Sequence, residues 1–150
     1  MKSKPLSQLV PDFKAALEEG LEVAAGEITE QLKVEGPYWT GFFESLWVVE
    51  PGKTKIVANV KDATTSKKKR PGRDYTDVFV PESPNLGGYT IGNKANYRLY
   101  AMDILPSPTG RQGGDAPNKT ADKKWFDTYV NAKMPETINR SLWRSLRGIT

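Results

Sequence analysis

The sequence predicts an α+β fold: a long N-terminal helix, a small antiparallel sheet with a β-hairpin, and a C-terminal helix or helices. Three observations carry this. Apolar residues recur at helical spacing through the first 32 positions, β-rich runs flank Pro51-Gly52, and a second helical stripe follows residue 124. At 150 residues the chain is expected to be one domain, 1–150, with long loops at 61–74 and 106–120.

The first helix rests on Leu6, Val10, Phe13, Leu17, Leu21, Ala24, Ile28 and Leu32, whose steps of three and four share one stripe. Glu18, Glu22, Glu27 and Glu30 make another face acidic, and glutamates at this spacing read as a solvated face rather than a cation site. Pro11 marks the first turn or a kink, and Gly36-Pro37 ends the helix. Next, "SLWVVE" and "TKIVANV" flank Pro51-Gly52, which suits a type II turn because glycine accepts the positive φ of its third position. The two runs are expected to pair as a hairpin.

"KDATTSKKKRPGR" (61–73) is polar and without periodicity, and is expected to be a loop. "YTDVFV" (75–80) and "GGYTIG" (87–92) are candidate third and fourth strands, and "NYRLYAMDIL" (96–105) a short helix. After the Pro/Gly-rich stretch 106–120, Phe126, Val130, Met134, Ile138, Leu142 and Leu146 repeat every four residues. Pro135 reads as a first-turn proline opening a final helix, so this segment is two helices or one kinked helix. Leu17, Leu21 and Phe13 are expected to pack on the hairpin through Phe43 and Trp47.

Composition excludes several chemistries. The chain has no cysteine and no histidine, so Cys- and His-based nucleophile chemistry and thiolate or imidazole metal sites are ruled out. No catalytic, cofactor-binding or metal-binding residue is assigned, and a non-enzymatic role is expected. An all-carboxylate Mg²⁺ enzyme would need carboxylates that converge in space. No apolar run approaches the roughly 20 residues of a membrane span. No signal-peptide core follows the lysines of "MKSKPLSQLV", so a soluble chain made in a cytosol is expected.

Hydrophobic content of 37% and a mean hydropathy of −0.58 are low for a self-sufficient globule, which points to burial shared between subunits. Net charge is +4, yet residues 1–50 carry 4 Lys against 9 Asp/Glu, while residues 51–150 carry 18 Lys/Arg against 9. A chain split in this way suits a polyanion or complementary faces between copies of itself.

Two stretches compete as binding sites. Lys67, Lys68, Lys69 and Arg70, with Arg73 nearby, form a basic run suited to phosphates, or else a solvated loop. Tyr38, Trp39, Phe42, Phe43 and Trp47 resemble base-stacking aromatics, but Lys33 is the only basic residue between Leu32 and Lys53. A stacking groove without interleaved basic residues lacks its electrostatic half. These aromatics are therefore read as a core or subunit contact, and Thr40-Gly41 as a structural corner.

Gly-Pro stop, Thr-Gly corner and Trp-bearing strand together resemble the neck and tail-completion proteins of tailed bacteriophages. That family's turn reads Pro-x-x-Thr-Gly-x-Leu-x-x-Ser-Trp. Pro37, Thr40, Gly41 and Trp47 match it, Phe43 stands for the leucine, and Leu46 occupies the serine position. Of the later pattern (an asparagine, a Tyr-Ala pair, an acidic residue and a glycine), Asn93 and Tyr97 fit. Arg98 replaces the alanine, Asp103 is offset, and no glycine follows it.

The resemblance implies a structural virion protein, assembled in the host cytoplasm, that forms a ring of six or twelve copies at the head–tail junction. Its partners would be further copies, the portal or adaptor, and tail-tube or tail-terminator proteins. DNA would pass through the lumen without sequence-specific binding; no membrane and no cofactor are implied. The rival is a small basic nucleic-acid-binding protein that uses Lys67–Arg73 with the C-terminal Lys/Arg residues.

Overall fold

The computed structural model describes residues 4–37, 42–61, 79–102, 104 and 124–149. In chain order the elements are α1 (Leu6–Glu35), α2 (Phe42–Ser45), β1 (Trp47–Pro51), β2 (Tyr89–Asn93), α3 (Arg98–Ala101) and α4 (Trp125–Leu146), closed by a 3-10 turn at Arg147–Ile149. This is the expected mixture of a long N-terminal helix, a small antiparallel sheet and a C-terminal helix.

The two long helices pack antiparallel. Lys133 pairs with Glu35, Tyr129 and Thr137 both donate to Gln31 Oε1, Arg140 pairs with Glu27, and Leu142 lies against Gly20. Part of the charge split between the two ends of the sequence is thus met within the chain. The buried face of α1 is built largely from small residues: Ala16, Gly20, Ala24, Ala25 and Thr29, ahead of Ile28 and Leu32. At Gly20 the helices approach closely, because a Cβ there would sit 3.1 Å from the Leu142 Cα. Leu17 and Leu21 are only half-buried and Phe13 is largely exposed, so of the bulky members of the periodic stripe it is Ile28 and Leu32 that hold α1 to the domain.

Pro135 does not open a new helix. It lies inside α4, a single helix of 22 residues. A mid-helix proline removes one backbone hydrogen bond and costs about 3 kcal/mol in an isolated helix. The α1 contacts at Lys133, Thr137 and Arg140 straddle it and hold the chain helical on both sides. Pro11 likewise sits within α1, while Gly36 caps that helix with its N–H donating to the Leu32 carbonyl at 3.1 Å.

The predicted hairpin does not form. The Pro51-Gly52 turn is present, with Gly52 at φ +67° and the Thr54 hydroxyl donating to the Pro51 carbonyl at 3.0 Å. Its following run, however, does not return along β1. The partner of β1 is β2, antiparallel, in a register running from Trp47 opposite Asn93 to Pro51 opposite Tyr89. The Thr90 hydroxyl donates to the Gly52 carbonyl at 2.6 Å and ties that turn to β2.

Gly92 supplies the physical reason for the altered path. Its missing side chain leaves room for Ile56, whose Cδ1 would lie 2.7 Å from any Cβ placed there. Residues 54–59 therefore pack against the sheet through Ile56 instead of joining it, and Val60 makes one parallel bridge to Ala95. The strand expected at 87–92 is β2, and the short helix expected in 96–105 is α3. The strand expected at 75–80 lies mostly outside the described residues, and Phe79 and Val80 have no regular structure.

Candidate functional site

Five of the residues that carry the family-like motif converge on one corner between α1, the sheet and α4. Pro37 is buried where α1 ends. Phe43 meets Trp47 edge-on at 5.8 Å and lies 6.1 Å from the Tyr97 ring, while Trp47 stacks on Phe126 at 6.4 Å. Trp125, in turn edge-on to Phe126, donates its indole N–H to the Ala101 carbonyl at 2.9 Å. Ile28, Leu32, Ala95, Met102 and Tyr129 complete this core.

Asn93, fully buried, is the polar pin of the corner. Its amide donates to the Phe43 carbonyl at 2.8 Å, and its side-chain oxygen accepts the Ala95 N–H at 2.9 Å. A buried backbone group left without a partner costs about 1–3 kcal/mol, so one side chain here satisfies two such groups. Arg98, where the motif has alanine, donates from Nη1 to the carbonyls of Ile56 and Asn93 and fastens residues 54–59 to the sheet. Among the described residues the corner holds packing groups and backbone pins. Thr40, Gly41, Asp103 and the basic run Lys67, Lys68, Lys69, Arg70 and Arg73 lie outside the described residues.

The surface feature that stands apart is the start of α1. Leu142 faces Gly20, and the turn that closes α4 continues along α1 roughly 10 Å nearer its start. The first turns of α1 project beyond it. Their apolar residues Leu6, Leu9, Val10 and Phe13 follow the i, i+3, i+4, i+7 pattern, with Leu6 74%, Val10 61% and Phe13 48% exposed. The projecting turns have one local ion pair, Lys4 with Asp12 at 2.9 Å.

Beside this stripe lies a strained turn. Asn85 and Leu86 both adopt positive φ, +60° and +54°, a conformation that leucine rarely takes. α1 holds the turn there: Lys14 Nζ donates to Asn85 Oδ1 at 3.0 Å, and Glu18 Oε1 accepts the Leu86 N–H at 3.2 Å. The latch keeps Leu86 exposed against α1 at Glu18. A bulky residue in this conformation cannot be anticipated from propensity, so the sequence offered no signal for it.

Comparison with protein families, curated proteins and solved structures returns no match. Among the described residues no group of three or more carboxylates is placed to hold a metal ion, and no helix is long and apolar enough to cross a membrane.

A second apolar set lies elsewhere on the surface. Phe79 is 82% exposed, and the adjacent Val80 touches α1 at Gly26, 13 residues beyond Phe13 and so about 20 Å further along the helix. Between the helices a polar groove of about 590 Å³ is lined by Glu27, Glu30, Gln31, Glu35, Arg140 and Arg144, among others. Desolvation, and then the neighbouring Glu27, raise the Glu30 carboxyl above its ordinary range, against a smaller opposing pull from Lys33.

Proposed function

We propose that this chain is a non-catalytic assembly subunit that joins copies of itself head to tail through the projecting start of α1. Among assemblies of that kind, the one its motif resembles is the ring at the head–tail junction of tailed phages. In that setting it joins head to tail and surrounds the DNA passage. The observation that carries the proposal is the exposed Leu6–Leu9–Val10–Phe13 stripe on the first turns of α1. Two or three helical turns are marginal alone in water, and a contiguous apolar stripe on them is characteristic of a docking surface.

A second copy is the occupant because head-to-tail closure needs two different patches on one subunit. The α1 stripe and the Phe79 set are two such patches, set about 20 Å apart along α1. The corner formed by Pro37, Phe43, Trp47, Asn93 and Tyr97 supports the reading in another way. It accounts for those five residues as packing and backbone contacts that orient α1.

Native mass spectrometry tests both levels. The double variant Val10→Glu, Phe13→Glu disables the stripe, and Phe79→Glu disables the second patch. Each variant alone is expected to lose association, and their mixture to stop at two copies, since one good interface remains between them. The unsubstituted chain should form closed rings, alone or when mixed with portal and tail proteins. A chain that stays monomeric in every mixture and is absent from virus particles would overturn the proposal.

A further inference from the structure

The test that the aromatics of 38–47 fail, stacking rings interleaved with basic residues, is met at the other end of the chain. Arg140, Trp143, Arg144 and Arg147 follow i, i+3, i+4, i+7 and so share one face at the end of α4 and its closing turn. They line a shallow depression of about 490 Å³. Trp143 is 66% exposed, although burial of an indole is ordinarily among the larger stabilising contributions open to a side chain.

We infer that this face is a contact for single-stranded nucleic acid, with the Trp143 indole stacking on a base and the flanking guanidiniums taking phosphates. This inference does not depend on ring formation. Arginines near a helix C-terminus are favoured by the helix dipole alone, but the dipole gives no reason for a large apolar ring to stand in water among them. A protein partner would be expected to surround such a ring with further apolar side chains; the other three residues of the depression are all arginines.

Arg140 is held by Glu27 at 2.9 Å and so is a positioned cation. The same carboxylate lies 3.8 Å from Arg144, beyond hydrogen-bond reach, and the Arg144 side chain is 66% exposed. A phosphate can therefore engage Arg144 without first breaking a close pair. Base stacking on an aromatic tolerates any sequence, so the contact is expected to have little base preference.

The experiment uses the full chain with Lys67, Lys68, Lys69 and Arg70 replaced by serine, so that the basic loop contributes nothing. Anisotropy of a labelled oligothymidylate is followed from 50 to 200 mM salt, with circular dichroism to confirm folding. Trp143→Ala is expected to weaken binding about tenfold at every salt concentration, and Trp143→Phe to restore most of it. Arg144→Ser with Arg147→Ser should flatten the slope of log K against log salt by about 1.4, since each phosphate contact contributes about 0.7 on single strands.

The inference is overturned if the starting chain ignores the oligonucleotide. Equal affinity for Trp143→Ala overturns it as well, as does a duplex of the same length binding as tightly as the single strand. Loss of association with another protein on Trp143→Ala, without any effect on the oligonucleotide, makes the face a protein contact instead.

Discussion

The two halves of α1 carry the same apolar periodicity and meet opposite fates. From Ala16 to Leu32 the stripe is covered by α4 and the sheet, while from Leu6 to Phe13 it stands in solvent. Residue size differs between them. The covered half presents Ala16, Gly20, Ala24 and Ala25, which let a second helix approach closely, ahead of the large Ile28 and Leu32, and the uncovered half presents leucine, valine and phenylalanine. Charge follows the division too, since Glu27 and Glu35 find Arg140 and Lys133 on α4. Periodicity reports which residues share a face. It does not report what covers that face.

The widest separation between the halves is expected from truncation in the covered one. Leu32 is 4% exposed and packs in the cluster with Phe43, Trp47 and Trp125. Leu32→Ala is expected to cost about 2–5 kcal/mol, the loss of transfer free energy together with the cavity left behind. Urea unfolding measures it. A cost below about 1 kcal/mol would mean that α1 is not anchored by this half, and the contrast would collapse.

Tyr129 offers a smaller, pH-dependent way to examine the covered half. The phenol is buried and donates to Gln31 Oε1 at 2.6 Å. Desolvation, and after it the charges of Glu35 and Glu27, push its pKa well above the ordinary value of 10. The folded pKa is raised, so the stabilisation is fully present below pH 10. It is lost as pH climbs beyond that, because the unfolded chain ionises while the folded one does not. Tyr129→Phe is expected to cost about 1 kcal/mol near neutral pH, from the lost hydrogen bond. Above pH 10 the gap between the two proteins should narrow; a constant gap would mean that the phenol titrates alike in both states.

Much of this fold was legible where the determining forces are local. The stripe and Gly36-Pro37 located α1 and its end, and β-rich composition marked β1 and the candidate strand at 87–92 that became β2. Strand pairing was not legible, because β-propensity identifies a strand-like run without naming the edge it will join. β1 took a partner about 40 residues on, and the nearer candidate was diverted by the space above Gly92. Pro135 left two helices or one kinked helix open for a related reason, and the single helix prevails because local helix-breaking is outweighed by contacts with α1 on either side of it.

At the motif corner, Phe43, Trp47, Asn93 and Tyr97 were legible as types in a pattern, but the double role of Asn93 between Phe43 and Ala95 needed the tertiary structure. The Arg140–Arg147 face was written in the sequence at helical spacing. Only the exposure of Trp143 distinguishes it from the buried side of the same helix.

The smallest expected effect is the most discriminating. Val10 is 61% exposed, so Val10→Ala removes few contacts within the subunit. The change also relieves the helix of a β-branched residue, which is worth up to about 0.5 kcal/mol in the opposite direction. For the isolated subunit the net change is expected to lie within about 0.5 kcal/mol of zero. Association changes that expectation, since anything that binds the folded chain stabilises it by mass action. Measured at low protein concentration, Val10→Ala should match the unsubstituted chain; at high concentration its unfolding midpoint should fall behind. A deficit present equally at all concentrations would mean that Val10 is covered within its own subunit, and the uncovered half of α1 would then be no different from the covered one.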